Sequence, residues 1–145
     1  MNASTQAISI GAMGKIASIP VLFRAEFSSA MVDFSPWTMD EQTQQHCDPN
    51  SIDFAFSFLN QYPHLSCGCV LLQVCFVNQL SDRHNRFHGI EASGHGHRTQ
   101  YWQFSSMTDW RFTGDLPPSD VCQQQLKHIF YQIHTLFNCL TPLHY

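Results

Sequence analysis

Charge is what this sequence has least of. Asp, Glu, Lys and Arg make up 12% of its residues, about half the share usual in soluble domains. The fixed cations are Lys15, Arg24, Arg83, Arg86, Arg98, Arg111 and Lys127, set against eleven acids for a formal net charge of −4. A phosphate backbone is held by a basic footprint, so nucleic acid is excluded as the default partner. Long apolar runs are missing too. The opening MNASTQAISIGAMGKIASIPVLF is broken by Ser, Gly and Lys15 and lacks a basic start, so neither a secretory signal nor a membrane span is expected there. Also absent are G-x-S-x-G, a P-loop, a dinucleotide fingerprint and H-E-x-x-H, and with them the reactions those motifs announce.

Hydrophobic residues are plentiful at 43%, with twelve phenylalanines and three tryptophans among 145 residues. One core suffices at that length. Aromatic residues beyond what such a core holds point to an exposed apolar patch, and on a soluble protein that marks a partner site. Six cysteines (Cys47, Cys67, Cys69, Cys75, Cys122 and Cys139) form an even set, but a chain this long needs no staples. Reduced thiols and a cytoplasmic location are expected. Nine histidines make the net charge sensitive to acid, from −4 to −4 + 9 = +5 on full protonation.

Residues 1–15 are small and polar and read as a flexible N-terminal arm or an edge segment, ahead of a single domain over 16–145. Val21, Phe23, Ala25 and Phe27 alternate with Arg24 and Glu26, which predicts a half-buried strand starting near Pro20. Asp48, Pro49 and a stop at Pro63 punctuate a mid-chain helix burying Ile52, Ala55, Phe56 and Leu59, although Phe54, Phe56 and Phe58 also alternate as a strand would. CGCVLLQVCFV, residues 67–77, suits a central strand buried on both sides. RFHGIEASG and TQYWQF predict a hairpin, and DWRFTG a further strand. From Asp120, Cys122, Leu126, Ile129, Phe130, Ile133, Leu136, Phe137 and Leu140 recur every three or four residues, the mark of a long amphipathic helix, with Asp120 and Gln123 placed for a capping box. The expected fold is therefore α+β: an antiparallel sheet of about four to five strands, with the mid-chain helix and the C-terminal helix packed on one face.

Gly94-His95-Gly96-His97 has three chemical readings. As a metal clip, His95 and His97 would share one side of a strand, and Cys67 and Cys69, at the same spacing, could complete a tetrahedral zinc set. Zinc knuckles use wider cysteine spacing, however, and Cys-x-Cys ahead of a valine-rich run suits two small core residues. As a phosphate cradle the stretch lacks the helix that should follow it. The remaining reading, a hairpin loop whose glycines permit positive φ, is preferred. His84 and His88 would face together only on a helix, which SDRHNR and Gly89 oppose. An RNA-type surface would need Arg83, Arg86 and Arg98 beside Phe87, Tyr101 or Trp102, but Tyr101 and Trp102 must point to opposite faces of a strand.

Cys67 or Cys69 can be combined with many histidines and with Asp109 or Asp115, so no particular thiol-enzyme site is singled out. What the sequence favours is a module without chemistry or a cofactor of its own, acting by self-association or by docking to a larger protein assembly. Its candidate interface residues are Gln124, Gln125 and Gln132 on the uncharged side of the last helix, and Trp37 in a proline loop. The alternatives are a His/Cys zinc protein and a small thiol-dependent enzyme.

Overall fold

The computed structural model describes residues 2–3, 13–37, 50–58, 67–78, 86–96 and 99–138. Among these residues six strands run β1 (Met31–Asp33), β2 (Ser51–Ser57), β3 (Cys69–Phe76), β4 (Phe87–His95), β5 (Gln100–Ser105) and β6 (Arg111–Thr113). Each pairs antiparallel with the next, so spatial order equals chain order. Helix α1 (Met13–Glu26) precedes the sheet and α2 (Asp120–Phe137) follows it. The two helices pack against each other, and their buried residues form one core with the sheet. The α+β class and the antiparallel sheet are as expected, with six strands rather than four or five.

Two elements differ from expectation. The predicted strand near Pro20 is helix α1, which buries Ile16, Ile19 and Phe23, with Phe27 buried just past its end, and leaves Val21 exposed. Spacings of three, four and four place those side chains on one helical face, and Phe23 and Phe27 satisfied both periods. Pro20 lies inside this helix. The predicted mid-chain helix is strand β2. Its Ile52, Phe54 and Phe56 all point into the core, and Phe56 stacks on Phe23 with ring centroids 3.8 Å apart. Three consecutive inward side chains at period two outweighed the helix punctuation, because the neighbouring strands satisfy the backbone of β2 on both sides. Asp48, Pro49 and Pro63 lie outside the described residues.

The other strands stand where the pattern placed them. Central strand β3 buries Val70, Leu72 and Val74 under the helices, while Cys69, Leu71, Gln73 and Cys75 on its other face are only half-buried. It is thus fully buried on one side and half-buried on the other, not buried on both. Helix α2 buries Cys122, Leu126, Ile129, Phe130, Ile133 and Phe137. Its N-cap is Ser119, one residue earlier than the predicted box: the Ser119 hydroxyl accepts from the Cys122 amide at 3.3 Å, and the Gln123 side chain donates instead to the Pro118 carbonyl at 2.9 Å. At the other end of the chain Asn2 bridges to Asp53 in parallel, and Ala3 is buried. Among the described residues no helix is long and apolar enough to cross a membrane.

Candidate functional site

The β4–β5 hairpin shows what the glycine-histidine stretch does. Gly94 is the cross-strand partner of Trp102, and a β-carbon built on it would stand 2.2 Å from the indole. On the other face, a β-carbon on Gly96 would lie 2.3 Å from the Tyr101 ring. The glycines serve as seats for two aromatic rings rather than as positive-φ positions, and among the described residues Gly114 is the glycine with positive φ. Trp102 is fully buried and Tyr101 half-buried. Phe87 packs against Phe76, Phe137 and His134. Neither Trp102 nor Phe87 is therefore presented for stacking, while Arg83 and Arg98 lie outside the described residues.

The candidate metal ligands are divided. Cys69 and His95 are cross-strand partners on the uncovered sheet face, whereas Cys67 packs on the core and shares a hydrogen bond with Trp102. His97 and His84 lie outside the described residues, and His88 is exposed. Among the described residues no three His, Cys, Asp or Glu side chains are grouped to hold a metal ion. Burial pushes the Cys67 thiol up to about 12, and burial followed by the charge of Asp33 raises Cys69. Both thiols are held in the protonated form at neutral pH, away from the thiolate that a nucleophile needs.

Among the described residues two serine–histidine pairs are present, which motif reading missed because neither has a characteristic local sequence. Ser93 Oγ lies 2.7 Å from His95 Nε2, and Ser106 Oγ lies 2.7 Å from His134 Nε2. The first follows from period two, which puts i and i+2 on one face of β4. The second joins the turn after β5 to α2, and Ser106 Oγ also accepts from the Ile90 amide at 2.8 Å. Desolvation lowers the pKa of both imidazoles. Among the described residues no carboxylate hydrogen-bonds either ring, so the third member that orients a catalytic histidine is missing from both.

Of the predicted interface residues, Trp37 turns inward. Its indole N–H donates to the fully buried Asp53, which also accepts from Ser51 Oγ at 2.6 Å, and its backbone exchanges hydrogen bonds with the Asn2 side chain. Gln124 is exposed, and Gln125 and Gln132 are half-buried beside it. The outermost line of α2 is Val121, Gln124, His128, Tyr131 and Thr135, with Val121 69% and Tyr131 67% exposed. Spacings of three and four residues hold these on one stripe. Tyr131 and Val121 could have been found as the positions opposite the buried set.

On the uncovered face of the sheet, β3 to β6 and the turn at Thr108 and Asp109 surround a cavity of about 340 Å³. Its side chains are polar: Gln73, Glu91 and Ser93, then Gln100, Gln103 and Ser105, then Arg111 and Thr113. Trp110, held at φ 58° and packed on Phe104 and His134, closes the turn. No curated protein and no solved structure matches the chain. A family model described as a domain of unknown function matches residues 4–139, and the chain belongs to that family.

Proposed function

We propose that this domain is a protein-binding module without chemistry of its own, and that it associates with a second copy of itself through the outward stripe of α2. The observation that carries this reading is the stripe's composition. Val121, Gln124, His128, Tyr131 and Thr135 include no Asp, Glu, Lys or Arg, and its two hydrophobic members, Val121 and Tyr131, are strongly exposed. Covering neutral amides and hydroxyls costs less desolvation than covering charges, and a protruding tyrosine supplies a large contact area with little rotamer entropy to lose. A two-fold contact sets the same stripe against itself, so no complementary charge is required.

The protonated thiols and the serine–histidine pairs without a carboxylate support a binding role over a catalytic one. A reducing, cytoplasmic setting is proposed along with it, in keeping with Cys67, Cys69 and Cys122, which form no disulfide among the described residues. The test is sedimentation at low micromolar concentration of the wild type and of Tyr131→Lys and Val121→Lys. A wild type heavier than one chain, with both variants reduced to monomer at unchanged circular dichroism, is the expected result. A wild type that stays monomeric throughout sinks the reading.

A further inference from the structure

The cavity lies on the face opposite the helices and plays no part in the association just described. We propose that it binds a small, neutral, polyhydroxylated ligand, a monosaccharide or cyclic polyol, seated over Ser105 between Glu91 and Arg111. The uncovered face of an antiparallel sheet is ordinarily a flat, solvated surface; here register and side-chain size make it concave. Glu91 pairs with Ser105 and Ser105 with Arg111, so one row across the sheet reads large, small, large. Two strand spacings separate Glu91 from Arg111, roughly 10 Å of backbone. The adjoining row is Ser93, Gln103 and Thr113, in which the long side chain stands between two short ones. The two rows interlock as a checkerboard, with Ser105 as floor and Gln103 alongside.

The ligand class follows from what the walls can and cannot recognise. Glu91 and Asp109 against Arg111 leave the cavity with an excess of one negative charge, which disfavours phosphates and carboxylates. Ala92 and Phe104 border it with side chains buried in the core, so the apolar surface it offers lies between polar groups and suits the C–H face of a sugar ring better than a wholly apolar ligand. What remains in abundance is paired donors and acceptors. Gln100 Nε2 donates to Gln103 Oε1 at 3.1 Å, which leaves the Gln103 amide N–H groups to face a ligand. A sugar hydroxyl both donates and accepts, so it is matched by an amide on one side and by an acceptor-only carboxylate or a donor-only guanidinium on the other. Arg111 is only loosely engaged, 4.0 Å from Asp109 with both side chains exposed, and can turn to a ligand at little cost. The volume stands at the small end of the range for small-molecule pockets, about 300–1,000 Å³, which suits one ring.

The experiment is a titration of the full chain, followed by amide NMR, with glucose, myo-inositol and inorganic phosphate in parallel. Saturable shifts at Ser93, Gln103, Ser105 and Arg111 with at least one of the two polyols, and none of comparable size with phosphate, are expected. Gln103 is exposed, so Gln103→Leu should fold, as unchanged α2 amides would verify. It should weaken binding roughly five- to tenfold, the loss of one hydrogen-bonding side chain. The proposal is overturned if neither polyol moves these amides, if phosphate moves them more strongly, or if Gln103→Leu binds as the wild type does.

Discussion

Gly94 on β4 and Trp102 on β5 form a cross-strand pair in which the indole occupies the space a side chain on residue 94 would need. The glycine is therefore a packing residue whose role is to be empty.

Gly94→Ala forces its new methyl into the ring and must displace a fully buried tryptophan that also packs edge-on against Phe112, with ring centroids 5.2 Å apart. Overpacking of this kind costs about 1–3 kcal/mol. The urea midpoint should fall accordingly, and a variant as stable as the wild type would refute the seat.

Trp37 and Asp53 should behave as a structural clasp. Trp37→Phe keeps the ring but removes the donor to a fully buried carboxylate, a loss of about 1–3 kcal/mol. Its association state should be that of the wild type. If Trp37→Phe retained full stability and lost association, the side chain would instead be the partner anchor that the proline loop suggested.

Acid should destabilise the fold through His134 and His95. Burial lowers both from the ordinary 6.5, so below that value the unfolded chain takes up protons that the folded one resists. Stability from these groups is whole above about pH 6.5 and is lost as pH falls from there through their lowered folded values. Unfolding measured from pH 7.5 downward should show the decline, and His134→Gln should make it shallower. An unchanged slope in that variant would remove His134 from the account.

Cys67 and Cys69 should alkylate slowly. Their raised pKa values leave little thiolate at neutral pH, so iodoacetamide should modify both faster in urea than in the folded protein. Equal rates in the two conditions would contradict the burial described.

Legibility varied along the chain for physical reasons. Strands β3 to β6 and helix α2 could be read because each has one dominant signal: residues 67–77 are a valine-rich apolar run of strand length, and Leu126, Ile129, Phe130 and Ile133 recur at helical spacing. Helix α1 and strand β2 were misread where two periods share residues. Phe23 and Phe27, four apart, fit either pattern, and the exposure of Val21 that settles the matter is a tertiary fact. Ahead of β2 the sequence carries Asp48 and Pro49, the residue types of a helix start, while the partners that hold Ile52, Phe54 and Phe56 inward come from other strands. The cavity was illegible altogether, since its checkerboard arises from register between strands and no single segment contains it. The outward face of α2 was half legible: its lack of charge is visible in Gln124, Gln125 and Gln132, but the exposed Val121 and Tyr131 are identified only by their place opposite the buried set.

The outermost strands, β1 and β6, are three residues each. So short a margin offers an incoming chain only a few vacant amide and carbonyl groups, too few to template an extended ribbon. Among the described residues the sheet therefore tapers at both sides, which limits how far another strand could lengthen it by backbone pairing.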